Sequence, residues 1–275
     1  MMICMQHHQK NGADSRGWMT ITEQGIKQSF DLTKVMFSRG NISEKIRFGN
    51  TVQENDLVLD MYAGIGYYTL PALVHGKARY VYCCEWNPHA AAFLKYNLKQ
   101  NSVDDRATVL EGDSRATLLE NNILDRDFDR VSLGLLPSSE GGWKTAVKAL
   151  SRNKGGWLHV HGNVPSHERD EWTLWMCQKL STIHSDLYPN LKKPYNIVCT
   201  HVEKVKSFAP RVVHLVADIL IAPNIPDDLL SEINCKENER LLGMVKNGKL
   251  IICDDEVPPP SCALGNGILD QEWMM

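Results

Sequence analysis

The sequence predicts an α/β protein whose mostly parallel sheet ends in an antiparallel hairpin. Two observations carry this prediction: short β-rich runs alternate with helical segments through the middle of the chain, and two later β-rich runs are separated by too few residues for a helix. Strands separated by helices form βαβ units and lie parallel, whereas a short connection forces an antiparallel pair. The 275 residues, of which 43% are apolar, suffice to bury such a core.

The predicted elements follow in chain order. An N-terminal hairpin is expected from Trp18–Thr22 and Ile26–Asp31. The five strands of the doubly wound sheet are expected at Leu57–Tyr62, Tyr80–Glu85, Ala107–Leu110, Asp129–Leu133 and Gly156–His161. The clearest helix is Ala90–Asn101, with Ala91, Leu94 and Leu98 on one face, and another lies around Trp172–Leu180. The closing hairpin is predicted from Ile197–Lys204 and Val212–Ile219.

Four segments organise the chain. Residues 1–17 are polar and aperiodic and are predicted to be a disordered lead-in, followed by the hairpin and a helix over 18–55. The cofactor-binding domain is predicted over 56–222. Residues 223–275 turn polar and contain three consecutive prolines, which predicts a mostly disordered tail.

Charge, cysteine spacing and hydropathy limit which partners, metal sites and cellular locations are expected. A net charge of −3 means that nucleic-acid binding needs a local basic cluster. The eight cysteines form no C-x-x-C pair, so no metal site is expected. No export signal is recognisable and no apolar run approaches the roughly 18 residues of a membrane span, so we expect a cytoplasmic protein with reduced thiols.

A glycine turn follows the first predicted strand of the main sheet, in the segment Asp60–Thr69. Gly64 and Gly66 would let the backbone approach a ligand where a Cβ would collide, although such turns also serve as tight connections. Position 69 is threonine where a dinucleotide-binding turn has its third glycine, and no G-K-[ST] triplet of a P-loop is present. S-adenosylmethionine, which has no phosphate, therefore fits better than a nicotinamide dinucleotide.

Acidic residues follow the next two strands. Glu85 is placed to accept hydrogen bonds from ribose hydroxyls, and Asp113 and Ser114 lie where an adenine edge would be. The alternatives are a solvated strand-end acid for Glu85 and a helix cap for Asp113. Asp60 stands directly before the glycine turn. Three acidic residues, Asp60, Glu85 and Asp113, thus follow three successive strands, and together they indicate an adenosyl cofactor.

The segment Phe37–Lys45 leads into a predicted helix, with Asn41 or Ser43 available as its cap. Ser38 and Lys45 could bind the amino-acid end of the cofactor, Lys45 through its ammonium group. The alternative for Lys45 is a solvated helix face.

Five motifs together resemble the tRNA wybutosine-synthesizing protein 2 family, over about Trp18 to Ile219. They are Phe37–Asn41, Glu44–Lys45, Asp60–Tyr68, Leu135–Glu140 and Lys206–Arg211. The resemblance implies a Rossmann-like class I methyltransferase fold and S-adenosylmethionine as donor substrate. It also implies transfer of the 3-amino-3-carboxypropyl group to 4-demethylwyosine, next to the anticodon of tRNA(Phe), in wybutosine biosynthesis. Ser38, Lys45, Glu85, Asp113 and Ser114 match the cofactor-contacting positions by this resemblance.

Two alternative functions stay open at this point. The related tRNA guanine-N1 methyltransferases carry an Asn-x-Pro after the fourth strand, whereas Ser132–Pro137 contains no asparagine, which favours the aminocarboxypropyl transfer. Family members also carry a further N-terminal region, so a truncated, catalytically deficient form that binds cofactor or tRNA is the other alternative. No residue stands out as a general base, and a monomer is expected.

Several other side chains are candidates for a functional role. His159 and His161 alternate on one strand and face one side of the sheet, where a structural role is favoured over metal binding. Trp143, beside two glycines, is the tryptophan expected near an entering base. Basic side chains that could contact tRNA phosphates are Lys192, Lys193, Lys204, Lys206 and Arg211.

Overall fold

The structure, a computed structural model, describes residues 17–38, 40–192, 195–225 and 259–264. The predicted lead-in over residues 1–16 lies outside the described residues, as do residues 226–258 and 265–275 of the predicted tail. The chain divides into two compact units, with the boundary between Gly134 and Leu135.

The first unit opens with the predicted hairpin. Strands β1 (Trp18–Glu23) and β2 (Ile26–Asp31) pair antiparallel, with Glu23 opposite Ile26. The two turn residues, Gln24 and Gly25, have φ values of 50° and 80°. Two-residue hairpin turns of this kind match the right-handed twist of the strands but require positive φ at both positions. The sequence Glu-Gln-Gly-Ile therefore ends β1 and starts β2 within two residues.

Four parallel strands form the sheet of the first unit, in the order β5-β4-β3-β6. The strands are β3 (Leu57–Asp60), β4 (Tyr80–Glu85), β5 (Ala107–Glu111) and β6 (Arg130–Leu133). The helices are α1 (Ile42–Thr51), α2 (Thr69–Val74), α3 (Pro88–Gln100) and α4 (Ser114–Glu120). The predicted βαβ units are confirmed, and the carboxyl ends of the parallel strands meet at one edge of the sheet.

Local sequence explains how the most regular of these helices begins. The Asn87 side chain accepts hydrogen bonds from the backbone N–H groups of His89 and Ala90, and Pro88 occupies the first helical position. An asparagine cap of this kind is worth about 1 kcal/mol, and proline there gives up only an N–H that has no partner within the helix. Helix α3 consequently starts two residues before the predicted Ala90 and buries Leu94 and Leu98 against the sheet.

The second unit contains the antiparallel strands. Its elements are α5 (Trp143–Ala149), β7 (Gly156–Pro165), α6 (Arg169–Leu187), β8 (Asn196–Ala209), β9 (Val212–Ala222) and α7 (Ser261–Leu264). Strand β9 pairs antiparallel with both β7 and β8, which confirms the predicted closing hairpin. Parallel strands followed by an antiparallel pair confirm the predicted α/β fold class. Within the described ranges, no helix is both long enough and apolar enough to cross a membrane.

Candidate functional site

The glycine turn lies at the carboxyl end of β3 and is tied to the neighbouring strand. The backbone N–H of Ala63 donates to the carbonyl oxygen of Cys84 over 2.9 Å. Gly64 and Gly66 have φ values of 57° and 104°, a region that L side chains rarely adopt. A Cβ on Gly64 would lie 2.9 Å from the ring of Tyr67. Both glycines are therefore required by the backbone and its packing, before any ligand is considered.

Glu85 holds the glycine turn from the end of β4. One carboxylate oxygen accepts the backbone N–H of Gly64 over 2.7 Å, and the other accepts that of Asn87 over 2.8 Å. Burial raises the pKa of Glu85, and the N–H groups partly offset this. The side chain is buried, so the alternative of a solvated strand-end acid is wrong. Glu85 and Gly64, both predicted to bind the cofactor, are therefore in direct contact.

Asp60, for which the sequence predicts no individual role, lies beside the glycine turn. It ends β3 and is 1% exposed, and burial raises its pKa to about 6. The hydroxyl of Thr69 donates to its carboxylate over 2.8 Å, and the negative charge of Glu85 raises its pKa further. Threonine at the position of a dinucleotide turn's third glycine therefore has a structural purpose: it holds a buried acid beneath the turn.

Asp113 and Ser114 lie at the end of β5, where α4 begins. Asp113 is the N-cap of α4: its carboxylate accepts the backbone N–H of Arg115 over 2.9 Å, and the Arg115 guanidinium lowers its pKa. The cap considered as the alternative is thus present, although half of the side chain is exposed and available to a ligand. Ser114 is buried, and its hydroxyl lies beside the phenol of Tyr62.

Ser38 is connected to the glycine turn through Tyr67. The Tyr67 hydroxyl accepts the backbone N–H of Ser38 over 3.3 Å and donates to the carbonyl oxygen of Met36 over 2.9 Å. Burial raises the pKa of Tyr67 to about 12, so the phenol keeps its proton. Tyr67 therefore fixes the segment that leads into α1 against the turn after β3.

Lys45 does not lie on a solvated helix face, so that alternative is wrong. Its ammonium nitrogen lies 2.6 Å from a carboxylate oxygen of Glu23, and both side chains are more than nine-tenths buried. The nitrogen also lies 5.3 Å from the ring centroids of Phe37 and of Tyr67, within the range of cation–π attraction. Asn41 is the residue before α1, as predicted, but its side chain makes no capping hydrogen bond.

Two residues that contact Lys45 were not predicted from the sequence. Glu23 comes from the first hairpin and Tyr67 from the glycine turn, and no spacing rule connects either of them to Lys45. Asp60 carried a usable signal, because it follows a buried strand in the same way as Glu85 does.

Comparison with known proteins identifies the family. The sequence model of the TRM5/TYW2 methyltransferase domain matches residues 20–175. The chain belongs to this family. It is 49% identical over 203 residues to the tRNA wybutosine-synthesizing protein 2/3/4 of Arabidopsis thaliana, a match that covers 74% of this chain and 19% of that protein. The tRNA wybutosine-synthesizing protein 2 homolog of Rattus norvegicus is 37% identical over 251 residues, covering 75% of this chain and 56% of the relative. The chain therefore spans less than two thirds of these relatives.

Solved structures of the same family resemble this fold. M. jannaschii TYW2, crystallised in complex with AdoMet, is 27% identical with a TM-score of 0.66, and the match covers 78% of this chain and 90% of that one. P. horikoshii TYW2, in complex with MeSAdo, is 28% identical with a TM-score of 0.64, and the match covers 78% and 74% of the two chains. The predicted resemblance to wybutosine-synthesizing protein 2 and the predicted methyltransferase-like fold are confirmed.

The two histidines of β7 have structural partners in the TRM5/TYW2 fold of this chain. The Nδ1 atom of His159 lies 2.6 Å from a carboxylate oxygen of Asp218, and that of His161 lies 3.0 Å from Nε2 of His214. All four side chains are buried. Among the described residues, no group of three or more His, Cys, Asp or Glu side chains could hold a metal ion.

Trp143 is not exposed to an entering base, and that prediction is wrong. The side chain is 1% exposed, packs against Trp175, and donates its indole N–H to the hydroxyl of Ser139 over 3.2 Å. It begins α5 instead of lying in the preceding loop. Of the predicted phosphate-contacting residues, Lys193 lies outside the described residues. Lys204 is exposed within β8, and Arg211 is exposed in the β8–β9 turn.

Proposed function

We propose that this chain binds S-adenosylmethionine at the glycine turn and transfers its 3-amino-3-carboxypropyl group to 4-demethylwyosine in tRNA(Phe), in wybutosine biosynthesis. The observation that carries the proposal is the pair of buried carboxylates, Asp60 and Glu85, that surround the glycine turn. A buried anionic site favours a cation, and the donor carries a sulfonium.

The residues at the strand ends fit the donor. Glu85 offers carboxylate oxygens to ribose hydroxyls, and the half-exposed Asp113 can accept a hydrogen bond from an adenine amino group. Ser38 and Lys45 are proposed for the amino-acid end. Because Thr69 holds Asp60 where a dinucleotide turn would have glycine, the turn is not arranged for a pyrophosphate.

The group transferred depends on which carbon of the donor faces the acceptor nitrogen. Attack on the aminocarboxypropyl chain releases 5′-methylthioadenosine, whereas attack on the methyl group releases S-adenosylhomocysteine. The absence of asparagine in Ser132–Pro137 and the names of the curated relatives both support the first outcome. Orientation alone supplies much of the selectivity, because a sulfonium activates each attached carbon.

We infer that the protein acts in the cytoplasm as a monomer on its tRNA. Five free cysteines, Cys83, Cys84, Cys177, Cys199 and Cys262, occur among the described residues, which supports a reducing compartment. The exposed side chains of Lys204, in β8, and Arg211, in the β8–β9 turn, supply positive charge for phosphate contacts.

Calorimetry with S-adenosylmethionine tests the binding site. Glu85→Gln should weaken binding at least about tenfold, because an amide accepts hydrogen bonds less strongly than a carboxylate. Glu111→Gln is the matched control: this acid ends the adjacent strand β5, is half exposed, and pairs with Lys95, so the variant should bind like the wild type. Equal affinities for the two variants would refute the assigned role of Glu85.

Product analysis tests the reaction. Incubation with tRNA(Phe) that carries 4-demethylwyosine should release 5′-methylthioadenosine and add the aminocarboxypropyl group to the nucleoside. Release of S-adenosylhomocysteine would instead make the chain a methyltransferase, and binding without turnover would make it a deficient form.

A further inference from the structure

The most exposed large apolar side chain described in the second unit is that of Phe208, near the end of β8. It is 59% exposed, compared with 42% for Leu135 and 40% for Leu191. A single exposed apolar side chain is ordinary and by itself indicates no function. Three features of its surroundings set Phe208 apart: a β-bulge, an anchored turn and a local cluster of cations.

The β-bulge presents Phe208 to solvent. Ser207 lies opposite Val213 and Ala209 lies opposite Val212, so Phe208 is the extra residue of β8 and has no counterpart in β9. A bulge bends its strand and re-aims the side chain that it carries, and bulges are frequent beside functional sites. The exposed position of the phenyl ring therefore follows from the backbone of β8.

The turn that follows Phe208 is anchored to the end of β7. The carbonyl oxygen of Arg211 accepts the backbone N–H of Ser166, directly after β7, over 2.8 Å. Arg211 has a φ of 62°, in a region where glycine or asparagine is the usual turn residue and other side chains are strained. Glycine would serve the turn better, so the strained backbone points to a role for the exposed guanidinium.

The segment around Phe208 is positively charged. The eight residues from Lys204 to Arg211 include three basic residues and no acidic one, and the side chains of Lys204 and Arg211 are exposed. Glu203, directly before the segment, has its carboxylate 3.0 Å from the imidazole of His201. The segment is thus a local basic cluster of the kind that nucleic-acid binding needs in a chain whose net charge is −3.

An exposed aromatic ring among cations matches the chemistry of single-stranded nucleic acid. Unstacked bases lie on aromatic rings, and basic side chains hold the phosphates between them. A duplex offers phosphates but keeps its bases stacked on one another, so it would use the cations and not the ring. An RNA loop is therefore the partner that uses both.

We propose that Phe208 stacks on an unpaired base of the tRNA anticodon loop while Lys204 and Arg211 contact the adjacent phosphates. This inference rests on the proposed function, which makes tRNA the substrate. Phe208 is then a positioning residue: it holds the loop and takes no part in the transfer of the aminocarboxypropyl group. It takes the role expected from the sequence for Trp143, whose ring is buried.

The test measures affinity for two RNA probes over a range of salt concentrations. The probes are the anticodon stem-loop of tRNA(Phe) and an RNA duplex of the same length, which has no unpaired base. Phe208→Ala should weaken the stem-loop about tenfold or more at every salt concentration and the duplex less than about twofold, because it removes a stacked base. Phe208→Trp keeps a ring and should bind like the wild type, whereas Phe208→Leu should resemble Phe208→Ala. Leu191→Ala, which removes another exposed apolar side chain of the same unit, is the control and should bind like the wild type.

Arg211→Gly separates the phosphate contact from the stacking. It should weaken both probes and lower the slope of log affinity against log salt concentration by about one. Urea unfolding should show no loss of stability, because glycine relieves the backbone of the turn. Unchanged affinity for both probes at unchanged stability would refute the phosphate contact.

The remaining outcomes separate this inference from the proposed function. Equal losses for stem-loop and duplex in Phe208→Ala, or full binding by Phe208→Leu, would overturn the inference, since neither result needs a stacked ring. A wild type that binds S-adenosylmethionine but not the stem-loop would overturn it too. So would sedimentation that shows a dimer for the wild type and a monomer for Phe208→Ala, because the ring would then belong to a contact between copies of the chain. Calorimetry without RNA should give the same affinity for S-adenosylmethionine in Phe208→Ala and the wild type; a wild type that binds no donor refutes the proposed function instead.

Discussion

Replacing Asp60 by asparagine should stabilise the ligand-free protein at neutral and alkaline pH. The Asp60 side chain is fully buried, and its pKa rises from 3.8 to about 6, chiefly through burial. The folded state therefore binds the proton more tightly than the unfolded state, and protonation favours folding. This stabilisation is complete below the ordinary pKa and is lost as the pH rises through about 6, so the ionised carboxylate is a cost at pH 8.

The magnitude follows from the size of the pKa rise. A change from 3.8 to about 6 is about two pKa units, and at about 1.36 kcal/mol per unit the buried charge costs about 3 kcal/mol above pH 6. About half of this cost is already present at pH 5, between the two pKa values. Asparagine carries no charge, and its amide oxygen can still accept the Thr69 hydroxyl.

Urea unfolding at pH 5 and pH 8 checks this expectation. Asp60→Asn should raise the free energy of unfolding more at pH 8 than at pH 5, by about 1 kcal/mol or more. Asp104→Asn is the control, because Asp104 is exposed on a surface turn and its replacement should have the same small effect at both pH values. A change that is equal at both pH values for Asp60→Asn would refute the argument from the buried charge.

Three further expectations concern single residues. Gly155→Ala should lower the free energy of unfolding by about 3 kcal/mol or more, because the new Cβ would lie 1.8 Å from a backbone oxygen at a φ of 75°. Gly25→Ala is the control: its φ is 80° but the space around it is open, so it should cost about 1 to 2 kcal/mol. Equal costs for the two variants in urea unfolding would contradict the steric argument. Thr69→Val should cost about 1 to 2 kcal/mol at pH 8 and less at pH 5, because it removes a hydrogen bond to the carboxylate of Asp60; a larger cost at pH 5 would oppose this. His214, whose pKa burial lowers to about 4, should remain neutral at pH 5.5 in the folded protein, so imidazole nitrogen shifts of a charged ring at that pH would show the burial argument to be wrong.

Local patterns in the sequence predicted most of the fold. The alternation of strands and helices needs only short-range information, and so does the closing hairpin. The ends of the antiparallel strands were harder: β8 continues to Ala209 through exposed residues, because pairing with β9 satisfies its backbone whatever the side chains are. No apolar periodicity marks such a strand end.

Residues of the candidate site could be predicted from the sequence only where they lie at the end of a strand or in the turn that follows it. Glu85 and Gly64 are both set by strand and turn positions, and the structure joins them directly. The ion pair of Lys45 could not be predicted from strand positions, because its partner Glu23 lies in a separate hairpin 22 residues earlier in the chain. Trp143 was misplaced for a similar reason: two neighbouring glycines indicated a loop, but the residue starts a helix and is buried by contacts from α6.

The charges around the glycine turn do not balance within the described part of the chain. Glu23, Asp60 and Glu85 are three largely buried carboxylates, and the ammonium paired with one of them is that of Lys45. Evolution tolerates such a cost at functional sites, where stability is exchanged for recognition. S-adenosylmethionine brings a sulfonium, an ammonium and a carboxylate, and so adds one net positive charge. The excess of buried negative charge that destabilises the ligand-free protein would then also favour the proposed donor over 5′-methylthioadenosine, the neutral product of the proposed reaction.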